Sequence, residues 1–98
     1  DSLWFEEALL RATSFENPAH VSSNSWGESA SWDVYSVTSE LADTAVRGGY
    51  NFQPVNVVTI SHNQNMTTTA PGTGKNVITV GAVKDGNSPS STLVWNSY

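Results

Sequence analysis

Apolar positions recur at helical spacing along the opening stretch, where Leu3, Trp4, Phe5, Ala8, Leu9, Leu10 and Ala12 form one broad stripe. Ser2 stands where an N-capping hydroxyl is wanted, Glu6 and Glu7 lie in the early turns, where the helix dipole favours acids, and the segment must end before Asn17-Pro18. The next stretch, His20 to Gly27, is short and bounded by Pro18 and Gly27, which suits a buried strand running into a turn. Helical spacing returns from Val34 to Val46 through Val37, Leu41, Ala42 and Ala45, and Gly48-Gly49 supplies the stop. Two β-branched runs follow, Val55–Ile60 after Pro54 and Asn76–Val83, separated by a polar loop from Ser61 to about Lys75. Runs of this kind predict strands covered on both faces. Val94-Trp95 has the character of a further strand's start.

The order helix, strand, helix, strand, strand, with helices as crossovers, predicts an α/β fold built on a parallel sheet. Three such strands leave at least one sheet edge with unpaired backbone groups, which a larger domain would cover. The chain opens within a helix signal and stops at a strand signal. Residues 1–98 are therefore expected to be an internal fragment of a single domain.

Composition narrows the picture. With 98 residues the chain supports one core at most, and 38% hydrophobic residues, four Trp among them, are enough to pack it. A net charge of -5 with only four Lys plus Arg leaves no basic footprint for a phosphate backbone or an anionic bilayer, so neither nucleic acid nor membrane is an expected partner. No apolar run approaches the ~18 residues of a membrane span, and no basic stretch followed by an apolar core opens the chain. Cysteine is absent, which excludes disulfides and thiolate metal sites, and no Asp, Glu and His cluster has ligand spacing; no metal or other cofactor is expected. Low charge with abundant Ser, Thr and Asn is the surface of an exported enzyme, and secretion is the expectation.

One motif is a decoy. Ala70-Pro71-Gly72-Thr73-Gly74-Lys75 suggests a phosphate-cradling loop, but that pattern needs Gly in place of Thr69 and a hydroxyl in place of Asn76. It also needs a helix next, whose N-terminus would hold the phosphates, and Val77 to Val83 is strand-like.

Three other stretches, in order and spacing, resemble the subtilase family of serine proteases. The strand ending Asn24-Ser25-Trp26-Gly27 is similar to that family's N-S-x-G segment, and Val57-Val58-Thr59-Ile60-Ser61-His62-Asn63 to its V-V-x-x-A-G-N segment. Pro71 to Val83 is close to its P-x-x-x-K-N-V-I-x-V-G-A-V block, the most specific of the three. The resemblance implies a three-layer subtilisin-like domain, a polypeptide substrate, and the remainder of the protease domain as the structural partner. It implies that Asn63 donates its side-chain amide to the oxyanion of peptide hydrolysis. It implies also that Ser25, Trp26 and Gly27 pair by backbone with an extended substrate. Ile60, Ser61 and His62 would wall the pocket for the side chain preceding the cut, and Pro71 falls where many members carry a cis peptide bond.

Two features depart from the pattern. Ser61-His62 replaces the usual Ala-Gly, and Asn65 stands where a Gly often follows, so backbone freedom is lost at both places. A bulky His62 is expected to narrow the pocket, to change its preference, or to mark a member that has lost catalysis. The Asp, His and Ser of a catalytic triad are missing as well. Neither His20 nor His62 has the family's H-G-T-H context, and Gly72-Thr73 is followed by Gly74 instead of Ser. The segment alone is not expected to cut peptides.

Overall fold

The computed structural model describes residues 2–14, 16–29, 32–49, 53–62 and 67–82. Within them the chain forms α1 (Ser2–Thr13), β1 (Val21–Asn24), α2 (Val37–Arg47), β2 (Asn56–Ile60) and β3 (Ile78–Val80). The three strands make one parallel sheet in the order β1-β2-β3, with Asn24 opposite Thr59 and Ile60 opposite Val80. This is the predicted α/β arrangement. Helix α2 joins β1 to β2; among the described residues no helix lies between β2 and β3.

Both helices bury a narrow face on the same core. Phe5 and Leu9 of α1, Leu41, Ala42 and Ala45 of α2, and Val55 and Val57 at β2 form it, with Leu10, Val46 and Val77 packed at its margin. The i, i+4 spacing of Phe5, Leu9 and Thr13 continues the buried line of α1 to its last residue, where Thr13 turns its hydroxyl onto the Leu9 carbonyl at 2.8 Å. The stripe read from sequence is wider than the buried face, since Trp4 stays 76% exposed. Ser2, expected as a cap, is the first helical residue instead.

Helix α2 begins later than its apolar spacing suggests. Ser36 is extended and accepts from the Thr38 amide at 3.2 Å, while Ser39 Oγ accepts from the Ser36 amide, a complete capping box. The cap decides the start, so Val34 lies outside the helix and is half exposed. At the other end Gly48 takes φ 81° and its amide returns to the last turn, the stop predicted from Gly48-Gly49.

Strands paired in register share a face. Ser22, Asn24, Val57 and Thr59 point to the helices, and Val57 and Thr59 are almost fully buried. Val21, Ile78 and Val80 are on the opposite face and remain 57%, 56% and 53% exposed. Among the described residues, then, the sheet is covered on one face only. Two of the three predicted layers are present among the described residues, and the β-branched run reflects a second face that nothing described here covers. Asn76 and Val77 precede β3 instead of opening it, and Val83 and the strand expected at Val94 lie outside the described residues.

The stretch leading to β3 is tied to α2 by a buried carboxylate. Asp43 accepts from the Asn76 amide at 2.7 Å, the Lys75 amide at 2.9 Å and the Tyr35 hydroxyl at 2.7 Å. Gly74 leaves room for it: a Cβ there would stand 2.9 Å from Asp43 Oδ1. Thr73 adds bonds to the Val34 carbonyl at 2.9 Å and to Ser39 Oγ at 2.6 Å. An exposed i, i+4 pair such as Glu7–Arg11, 2.7 Å apart, contributes only ~0.3–0.5 kcal/mol. Each buried amide left without an acceptor costs about 1–3 kcal/mol. Asp43 is accordingly the more consequential acid.

Replacing Asp43 with Ala is expected to destabilise the protein by about 2–5 kcal/mol in denaturant unfolding, since two amides lose their acceptor together. A change under about 1 kcal/mol would show that the two amides do not depend on Asp43. The bond to Asp43, then burial and the charges of Asp43 and Glu40, push the Tyr35 phenol from 10.0 up to about 12. The folded state keeps a proton that the unfolded chain releases, so this contribution is complete below pH 10 and is lost as pH rises towards 12. Ultraviolet titration should show one late-ionising tyrosine in the wild type that is missing in Tyr35→Phe.

Candidate functional site

Strands β1 and β2 run in the same direction and end side by side at Asn24 and Ile60. The carboxyl ends of parallel strands are where α/β sheets place their ligands, because the chain leaves the sheet there in loops that diverge. Ser25, Trp26 and Gly27 continue from β1, and Ser61 and His62 continue from β2. The sheet thus brings the two sequence-predicted stretches to one end of the molecule.

Gly27 and His62 meet most closely. A Cβ built on Gly27 would stand 1.9 Å from His62 Nε2, so the ring lies in the space that a side chain at Gly27 would need. His62 Nε2 and Thr69 Oγ1 share a hydrogen bond of 2.8 Å. Trp32 meets the imidazole edge to face, with ring centroids 5.9 Å apart at 81°. His62 itself takes φ 68°, the left-handed region that favours glycine. Where the resemblance leads one to expect Gly, His62 takes a backbone conformation that Gly would adopt at no steric cost, and its side chain is directed against Gly27.

The surrounding loops are laced by backbone pairing. Glu28 N–H donates to the Ala70 carbonyl at 2.9 Å, Asp33 N–H donates to the Thr68 carbonyl at 2.7 Å, and Trp32 bridges Thr69 in antiparallel fashion. Ala70-Pro71 is a cis peptide bond, as the resemblance implied. Thr69 is fully buried at the centre of this lacing.

The other predicted residues are placed less centrally. Ser25 is exposed. Trp26 packs edge to face on Phe5 with centroids 4.9 Å apart, and its Nε1 donates to Asn24 Oδ1 at 3.2 Å, so its side chain belongs to the α1 contact. Asn24 also donates to the Val58 carbonyl at 3.3 Å, clamping β1 to β2. Ile60 is half buried at the end of β2, and Ser61 extends the pairing by donating its amide to the Val80 carbonyl at 3.0 Å. Asn63, the predicted catalytic donor, lies outside the described residues.

Sequence reading missed Thr69 and Trp32. Neither carries a local signal, because their role arises only where the Trp32 and Thr69 loops pair. A groove of about 440 Å³ runs along α1 and β1, lined by Trp4, Phe5, Leu9, Ser22, Asn24 and Trp26, and Gly27, Ile60, Ser61 and His62 do not border it. The loop that suggested phosphate binding leads into β3, and Lys75 instead lies 5.1 Å from the Tyr35 ring centre. Among the described residues no group of His, Asp and Glu is arranged to hold a metal ion.

The subtilase family model matches residues 2–97. The chain belongs to the subtilase family. Comparison with curated proteins and with solved structures returned no match. The match makes the chain a serine-peptidase-like segment, and the peptidase family points to polypeptide as its class of substrate. Subtilases are often secreted, and no helix among the described residues is long and apolar enough to cross a membrane.

Gly27→Ala is expected to lower the melting temperature by forcing a methyl into the imidazole, a loss of about 1–3 kcal/mol. His62→Gly in the same protein should restore part of it. Thermal melts of the wild type, both single variants and the double variant measure the coupling; purely additive losses would show that the ring does not occupy that space.

Proposed function

We propose that the chain is the cleft-forming internal part of a secreted subtilisin-like serine endopeptidase, which hydrolyses peptide bonds by acyl transfer with triad residues supplied from outside residues 1–98. The observation that supports this most is the family match over residues 2–97, together with the convergence of Ser25–Gly27 and Ser61–His62 at the carboxyl ends of β1 and β2. In this reading the segment Ser25–Gly27 pairs by backbone with an extended substrate, which brings the scissile carbonyl to the chain leaving β2. Attack by the serine puts negative charge on that carbonyl oxygen, and the Asn63 amide donates to it. A donor carried next to a strand end needs little reorganisation as the charge develops, which is why its contribution to the transition state exceeds its contribution to substrate binding. Ile60, Ser61 and His62 form the pocket wall.

A second reading, a non-catalytic subtilase-like domain that binds peptides or partners, is favoured by the imidazole filling the space over Gly27. A fluorophosphonate probe applied to the full-length protein separates the two: a labelled serine is expected for the peptidase, and no labelled serine overturns it. In the active protein Asn63→Leu should lower kcat about 100- to 1,000-fold with little change in KM, the magnitude measured for this donor in a subtilisin, a member of the same family. An unchanged kcat would remove Asn63 from the mechanism.

A further inference from the structure

We infer that Glu28 is a positioning residue for substrate binding: its carboxylate, bonded to Thr38, holds the segment Ser25–Gly27 in place for pairing with an extended peptide. The inference rests on the cleft reading given above. Ser25, Trp26 and Gly27 form a short span between two anchors. At the near end Asn24 is buried, pairs with Thr59 in the sheet, donates to the Val58 carbonyl at 3.3 Å and accepts from Trp26 Nε1 at 3.2 Å. At the far end Glu28 donates its amide to the carbonyl of the fully buried Ala70 at 2.9 Å, and its carboxylate accepts from the Thr38 hydroxyl. Between the anchors the Gly27 main chain makes no hydrogen bond among the described residues, which leaves it open to pairing with a further strand.

The two bonds of Glu28 differ in what they require. The amide bond is open to any residue except proline, whereas the bond to Thr38 needs a side chain that accepts, and a carboxylate accepts more strongly than a neutral carbonyl. Thr38 is a rigid donor. It lies almost fully buried in the first turn of α2, the capping box at Ser36 fixes that turn, and Leu41, Ala42 and Ala45 seat the helix on the core. The carboxylate also stands at the end of α2 where the helix dipole favours an anion. No residue of the span supplies this anchor itself: Ser25 is exposed, the Trp26 side chain is engaged with Phe5 and Asn24, and Gly27 has no side chain. Without the carboxylate the far end would keep the Ala70 bond alone, and the span could turn about it. Glu28 acts through Ser25–Gly27, so its effect falls on the substrate residues that pair there and not on attack at the scissile carbonyl.

The test uses the full-length protein and two substrates that share one acyl residue at the cleaved bond: a peptide extended by several residues before it, and a minimal ester that stops there. The measured quantity is the ratio of kcat/KM for the peptide to kcat/KM for the ester. Glu28→Ala is expected to lower that ratio about tenfold, the scale of one lost hydrogen bond to a charged group, chiefly through KM for the peptide. A merely structural role would reduce the active fraction and move both substrates alike, leaving the ratio where it was. Glu28→Gln, which keeps an acceptor of the same length, should recover most of the ratio. Thr38→Val, which removes the donor, should lower it as Glu28→Ala does, and it carries the test if Glu28→Ala does not fold. A ratio within about twofold of the wild type in either variant, or a loss in Glu28→Gln as full as in Glu28→Ala, overturns the inference. If no serine is labelled by a fluorophosphonate, the peptidase reading fails separately, and calorimetry with the same extended peptide decides the role of Glu28. Binding about tenfold weaker in Glu28→Ala than in the wild type supports it; equal binding, or none to the wild type, overturns it.

Discussion

The Asp43 carboxylate, buried in α2, is where two distant parts of the chain are joined. It takes the amides of Lys75 and Asn76 and the phenol of Tyr35, and so fixes the stretch before β3 against the helix. That stretch starts at Thr69-Ala70-Pro71, which pairs in turn with the loop after β1 through Glu28, Trp32 and Asp33. The position of Thr69, and with it the direction of the His62 ring, therefore depends on an acid in another element. An unpaired carboxylate in such a place would be costly, and the three donors converging on it make it a clamp.

The site is assembled by the sheet. Parallel pairing forces β1 and β2 to end together, and the loops that leave them converge without any contact between Ser25–Gly27 and Ser61–His62 in sequence. The helices contribute indirectly, by burying Phe5, Leu9, Leu41 and Ala45 on Val55 and Val57 and so setting the sheet's position. The opposite face, with Val21, Ile78 and Val80 half exposed, is apolar enough to need a cover, which fits a domain larger than these residues.

The change at position 62 joins backbone and side chain. The family's glycine permits a left-handed residue at no steric cost, and histidine adopts the same region here at φ 68° because Thr69 and Trp32 hold its ring. The outcome is an imidazole packed among Gly27, Trp32 and Thr69.

Much of the fold could be read from the order of residues. Both helices, the three strands, the α2 stop at Gly48 and the family motifs depend on local spacing and on short-range chemistry, and those are written in the chain directly. The start of α2 was misread from apolar spacing at Val34, although the capping box at Ser36 is itself local. What only the tertiary structure decided are the meetings between residues far apart in sequence: Asp43 with Lys75 and Asn76, Trp32 with Thr69, and Gly27 with His62. No local pattern encodes such a pair, because its distance is set by the register of the sheet and the path of two loops. The sequence by itself determined that a histidine stands in place of a glycine; the packing of Gly27, Trp32 and Thr69 decided where its ring would go.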